Sequence, residues 1–142
     1  MKEAIIELIA AFLGSLGFSL VFGMHKRYLL PASLGGILVW GAFVLLRKWI
    51  GSEFLPCLLA SGVAVLWSEL LARRMKTPAT VFVIPAILPL VPGGSLYYAM
   101  SCAVRGELSA ARVYGTSTLL YALAIAAGIS LVLAIRELQT KR

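Results

Sequence analysis

The chain alternates long apolar runs with short clusters of basic residues. Apolar runs cover about 5–22, 29–46, 54–72 and 112–135, and an interrupted run covers 79–104. Because an α-helix needs about 20 apolar residues to cross a membrane, each run has the length of one crossing. The pattern predicts an all-α integral membrane protein with about five transmembrane helices. We expect residues 1–142 to form a single membrane domain.

Composition supports this prediction and excludes a soluble nucleic-acid binder. Hydrophobic residues make up 61% of the chain and charged residues 13%, against about 25% charged in an average soluble domain. The net charge of +7 would suit nucleic acid, but the cations stand between the apolar runs, as they do in membrane loops. The partner that this charge pattern predicts is the lipid bilayer.

The distribution of Lys and Arg also predicts an orientation. Five crossings place the two termini on opposite sides of the membrane. The clusters around Lys26, around Arg73 and at the C-terminus hold eight cations, against five for the opposite side. Since cytoplasmic loops carry the excess of Lys and Arg, we expect a cytoplasmic C-terminus.

The fourth run departs from ordinary helix chemistry between Pro85 and Ser95. Pro85, Pro89 and Pro92 each lack a backbone N–H, and Gly93-Gly94 follows immediately. Proline removes helical hydrogen bonds, and glycine lets the chain leave the helix. We therefore expect the fourth helix to be broken here, with Ser95 capping its second half.

A broken helix in a bilayer must satisfy its backbone groups with protein or water. The three prolines free the carbonyls of Val81, Pro85 and Leu88, which are possible acceptors for a cation, a water or an ammonium group. The second half-helix offers N–H groups and its positive dipole end, which suit an anion. With the Tyr97 hydroxyl nearby, the segment predicts a site for a small carboxylate-bearing metabolite. The alternative is a kinked helix that only packs.

Glu69 is a second candidate site residue. It stands at the edge of an apolar run, where an ionisable side chain is a functional hypothesis. Arg73 follows four residues later and would share its helix face. The alternative is an interfacial ion pair without a role in binding.

Nothing in the sequence predicts catalysis, a metal or a cofactor. His25 is the only histidine, and it stands in a basic loop with no carboxylate or second histidine adjacent, so the sequence shows neither a Ser/His/Asp set nor a His-Glu metal pattern. Cys57 and Cys102 lie in apolar runs without ligand-spaced partners, and we interpret them as packing residues. We expect that the protein is not an enzyme.

Three stretches of the sequence resemble the threonine/serine exporter family. They are Leu34-Gly35-Gly36 to Trp40, the segment from Ser68 to Phe82, and the segment from Ile84 to Gly94 with Tyr97. The likeness is closest to the C-terminal half of those exporters, which many bacteria make as a separate small subunit.

The resemblance implies export of threonine and serine, or of dicarboxylates such as succinate, across the inner membrane. It also implies a larger homologous subunit whose own break would face this one; a homo-oligomer is the alternative partner. Export would be driven by an ion or proton gradient, since no nucleotide motif is present. A non-transporting assembly subunit of such a complex is the main alternative function. The expected substrate-binding residues are Pro85, Pro89, Pro92, Gly93, Gly94, Ser95, Tyr97 and Glu69.

Overall fold

The computed structural model describes residues 2–140, and these residues form helices joined by short connections. The cations Lys141 and Arg142, counted above on the C-terminal side, lie outside the described residues. Within them, the α-helices are α1 (Lys2–Val21), α2 (Lys26–Ile50), α3 (Phe54–Met75), α4 (Thr80–Ile87), α5 (Gly93–Val104) and α6 (Leu108–Thr140), with a 3₁₀ turn at Leu88–Leu90.

The helices α2 and α3 form the centre of the bundle. Helix α2 packs against α1, α3 and α4, while α3 packs against α2, α4 and α6. The short α4 is wedged among α1, α2 and α3, and α5 lies at the periphery against α6. The largest buried cluster therefore lies between α2, α3, α4, the 3₁₀ turn and α6. Its members are Val39, Phe43, Cys57, Ala60, Ala64, Ala86, Leu90 and Ala124.

The number of membrane crossings agrees with the sequence prediction. Four helices, α1, α2, α3 and α6, are long and apolar enough to cross a membrane. The stretches Thr80–Leu90 and Gly93–Val104 are bent by 55° and make a fifth crossing if they form one span. The all-helical membrane fold with a broken fourth span is confirmed. Helix α6 begins at Leu108, earlier than the predicted 112, and its 33 residues make it about 50 Å long.

The bundle has two ends, which we name by their loops. The basic end contains loops 22–25 and 76–79, and a hydrogen bond of 3.1 Å between Thr77 Oγ1 and Tyr28 Oη joins the second loop to the start of α2. The opposite end contains loop 51–53, and we call it the break end because the α4–α5 break lines a cavity together with Glu53 of this loop. Helix α4 starts at the basic end, and the break follows at Val91.

A pair of glycines in α2, Gly35 and Gly36, allows close contact with neighbouring helices. A Cβ at Gly35 would lie 3.0 Å from Ala86 Cβ, and one at Gly36 would collide with Ser15 Oγ. In α1, by contrast, Gly14 and Gly17 have no neighbour within 4 Å of a built Cβ. The close approach of α1 to α2 therefore depends on Ser15 and Gly36 rather than on the glycines of α1.

Candidate functional site

The break follows directly from the proline positions. Val91 is extended, with ψ of 125°, because a residue that precedes proline is disfavoured in the helical region. Pro92 then occupies the N-cap of α5 with ψ of 54°. The helix therefore ends at the 3₁₀ turn and restarts at Gly93.

Two of the three carbonyls freed by prolines have partners inside the protein. Ser15 Oγ donates to the Pro85 carbonyl at 2.9 Å, and the Val91 N–H donates to the Leu88 carbonyl at 3.1 Å. The expectation of open acceptors at Pro85 and Leu88 is therefore wrong. Ser15 replaces the missing Pro89 N–H, which satisfies a carbonyl buried in the bundle.

The start of α5 also differs from the expectation that Ser95 caps it. Helix α5 begins at Gly93, and its N-cap Pro92 makes no side-chain capping bond. Ser95 lies in the first turn, and its hydroxyl donates to the Pro92 carbonyl at 3.1 Å. The positive end of α5, with the N–H groups of Gly94 and Ser95, therefore lies at the break without a side-chain cap.

A cavity of about 350 Å³ lies against the break, which is a usual size for a small-molecule site. Residues of α2, the α2–α3 loop, the break and α6 line it. Its lining consists of Trp40, Phe43, Arg47, Glu53, Pro89, Leu90, Val91, Pro92, Ser95, Tyr114, Ser117 and Tyr121. We call it the break cavity.

Two opposite charges line the break cavity. Arg47 Nη2 lies 2.9 Å from Glu53 Oε1, and the two side chains are about half exposed, at 56% and 49%. Gly51 ends α2 in the left-handed conformation with φ of 68°, which glycine adopts without strain. The tight turn brings the two side chains together. Glu53 occupies the N-cap of α3 but makes no capping bond, so its carboxylate is directed to Arg47.

Hydroxyl groups line the side of the break cavity formed by α6. Tyr114, Ser117 and Tyr121 are spaced three, four and seven residues apart and therefore share one helix face. Thr118 Oγ1 lies 3.1 Å from Ser95 Oγ and 2.8 Å from the Tyr114 carbonyl. The arrangement offers a cation, an anion and hydrogen-bonding hydroxyls to one small ligand.

The predicted break residues have different positions relative to this cavity. Pro89, Pro92 and Ser95 line it. Gly93 and Gly94 are exposed, with nothing within 4 Å of a built Cβ. Tyr97 is 67% exposed and does not line it; its ring packs on Tyr98 at 5.6 Å.

Pro85 and Glu69 lie away from the break cavity. Pro85 is buried and borders a second cavity, at the basic end. Glu69 stands 16 residues after Glu53 on α3, or about 24 Å along the helix. Its ion-pair partner is not Arg73 but Arg136 of α6, whose Nε lies 3.0 Å from Glu69 Oε2. The structure therefore does not bring Glu69 together with the break.

Sequence reasoning missed the charged and hydroxyl residues of the break cavity. Arg47 and Glu53 were assigned to an interfacial loop, and the α6 hydroxyls were not singled out. One signal was available: within an otherwise apolar helix, Tyr114, Ser117 and Tyr121 form a polar stripe at helical spacing.

A multi-pass helical bundle with a broken span beside a small cavity is an arrangement found in many secondary transporters. The sequence profile of the family described as "Threonine/Serine exporter, ThrE" matches residues 7–135. The chain therefore belongs to the threonine/serine exporter family, and the resemblance found in its sequence is confirmed. No solved structure matches the chain.

Proposed function

We propose that this chain lines the substrate pathway of a secondary exporter of threonine and serine in the inner membrane. The break cavity is the substrate site in this proposal. The chain acts as the small subunit beside a larger homologous subunit, and its residues 1–142 form one membrane domain. The observation that supports the proposal is the Arg47–Glu53 pair in a cavity at the end of a broken helix.

The charges of the break cavity match an amino acid. A half-exposed ion pair contributes only about 0–1 kcal/mol, so a ligand can replace it at little cost. The ligand carboxylate pairs with Arg47 and the positive end of α5, and its ammonium group pairs with Glu53. A β-hydroxyl then bonds to the cluster of Ser95 and Thr118.

The same charges disfavour the alternative substrate class. A dicarboxylate such as succinate carries no ammonium group for Glu53, and a second carboxylate next to Glu53 is repelled. We therefore place threonine and serine ahead of dicarboxylates as substrates of this chain.

The exposed surface around the break supports a partner. Gly93, Gly94 and Tyr97 are all exposed at the break end or beside it. A larger homologous subunit in the opposite orientation would complete the cavity from this side. A second copy of this chain is the alternative partner.

Reconstitution tests the proposed function directly. We expect proteoliposomes with this chain and the larger homologous subunit to export labelled threonine and serine under an imposed pH gradient, and succinate more slowly. Vesicles with this chain alone are the control, and efflux from them would favour the homo-oligomer. If vesicles with both proteins export none of the three compounds, the proposed function is wrong.

A non-transporting assembly subunit is the second candidate function, because the peripheral α5 has exposed aromatic side chains at Tyr97 and Tyr98. The variant Ser95→Ala distinguishes the two functions, with valine as the comparison compound because it lacks the β-hydroxyl of threonine. If the cavity binds substrate, the efflux ratio of threonine to valine should fall about two- to tenfold, the effect of one neutral hydrogen bond.

Ser109→Ala, at an exposed serine of α6, is the matched control and should leave this ratio unchanged. Tyr97→Phe, outside the cavity, should leave it unchanged as well. If Ser95→Ala lowers only the yield of the complex and leaves the threonine-to-valine efflux ratio unchanged, the assembly function is supported.

A further inference from the structure

A second cavity, of about 370 Å³, opens at the basic end of the bundle. Helix α1, the following loop and α4 form most of its wall. Its lining is Phe18, Ser19, Phe22, Met24, His25, Tyr28, Thr77, Thr80, Val81, Ile84 and Pro85. We call it the basic-end cavity.

The lining of the basic-end cavity is largely apolar. Phe18 and Phe22 stack at 4.2 Å between ring centroids, and Val81 and Ile84 face them from α4. Among the described residues, no Lys, Arg, Asp or Glu lines it. A zwitterionic or dianionic metabolite gains nothing from such a wall and would lose its hydration, whereas a hydrocarbon chain fits it.

The mouth of the basic-end cavity opens away from the bundle. Phe22 and Ile84, which line it, are 71% and 51% exposed. In a membrane-spanning protein, the outward direction at the level of apolar side chains is the bilayer. The natural occupant is therefore an acyl chain of a lipid.

Positive charge surrounds the polar end of this cavity. Lys26 and Arg27 follow the lining residue His25, and Lys76 precedes the lining residue Thr77. Arg73 and Arg74 occupy the last turn of α3 at the same end. Basic residues at the membrane surface attract anionic headgroups, by about 1 kcal/mol or roughly fivefold each.

Most of the glutamates lie away from this rim. Four of the six lie at the break-end side of the chain, at positions 3, 7, 53 and 107. Glu69 is paired with Arg136, and Glu137 lies on α6, which contributes no residue to the lining of the basic-end cavity. The rim therefore selects a negative headgroup.

We propose that the basic-end cavity binds one anionic phospholipid of the bilayer, with an acyl chain between α1 and α4 and its phosphate at Lys26 and Arg27. The site is separate from the break cavity and does not depend on the proposed substrate.

Native mass spectrometry of the delipidated protein tests this proposal. The protein is titrated with dioleoyl phosphatidylglycerol or dioleoyl phosphatidylcholine, which differ in headgroup but share their acyl chains. We expect one phosphatidylglycerol to be retained at a concentration at least tenfold lower than phosphatidylcholine. Equal retention of the two lipids would overturn the proposal.

Two sets of variants locate the lipid. Lys26→Gln with Arg27→Gln should lower the headgroup preference by roughly fivefold for each lost cation, while Arg105→Gln with Arg112→Gln, an exposed pair at the other end, should preserve it. Ile84→Trp should fill the cavity and abolish retention of both lipids. Equal loss of preference in the two double variants, or full retention by a folded Ile84→Trp variant, would place the lipid elsewhere and contradict the proposal.

Discussion

Replacing Glu53 by glutamine lowers threonine efflux by about ten- to a hundredfold, the loss expected for one hydrogen bond to a charged group. The amide keeps the shape of the side chain but removes the charge that faces the substrate ammonium. Arg47, which lies 2.9 Å from Glu53 in the native protein, then has no anion beside it. Succinate efflux should therefore rise relative to threonine efflux, and labelled efflux from proteoliposomes measures both.

The control for this prediction is Glu107→Gln. Glu107 is exposed in the α5–α6 loop and does not line the break cavity, so its replacement should change neither substrate. Equal efflux in Glu53→Gln and Glu107→Gln would show that Glu53 does not contact the substrate.

A double charge swap separates substrate binding from loop stabilisation. Arg47→Glu with Glu53→Arg preserves an ion pair across the α2–α3 turn but reverses its polarity relative to the positive end of α5. If the pair only holds the turn, efflux should recover in the double variant. If the pair binds substrate, efflux should stay low. In the swapped variant the cation is at position 53, so it no longer acts together with the positive end of α5 on the substrate carboxylate.

The features that sequence predicted well are those that depend on the local chain. The apolar runs predicted the spans because length and hydropathy alone set a crossing. The prolines predicted a break between Pro85 and Ser95, and the structure places it at Val91, because the ring of Pro92 restricts the residue before it.

The residues that sequence did not bring together belong to different helices. Arg47 and Glu53 meet Pro92 and Ser95 only because α2 and the break reach the same end of the bundle. Hydropathy alone places the two charges between apolar runs, where Arg47 lies in the last turn of α2 and Glu53 precedes α3, but it does not reveal the cavity they line.

Glu69 shows the same limit of local reasoning. The i, i+4 spacing favoured Arg73, which shares a face with Glu69 on one helix. In the structure Arg73 is exposed, and Arg136 reaches Glu69 from α6 across the α3–α6 contact. A pair separated by 67 positions depends on which helices pack together, and spacing along one helix carries no information about that.

Gly128 of α6 allows the close contact between α3 and α6. A Cβ at Gly128 would collide with Ser61 Oγ and with the carbonyl oxygen of Leu58, and would lie 3.1 Å from the Leu58 carbonyl carbon. A backbone atom cannot change rotamer, so the two helices would have to separate. Eight residues further along each helix, Glu69 pairs with Arg136, and separation would weaken this ion pair as well.

Gly128→Ala should therefore lower the free energy of unfolding by about 1–3 kcal/mol or more, the cost of overpacking, as measured by denaturant unfolding in detergent. Gly115→Ala, on the same helix with nothing within 4 Å of a built Cβ, should instead stabilise the helix by about 0.5–1 kcal/mol. Adding Ser61→Gly to Gly128→Ala should rescue only part of the loss, because the Leu58 carbonyl remains. Equal stability of the Gly128→Ala and native proteins would mean that α3 and α6 are not held in this close contact.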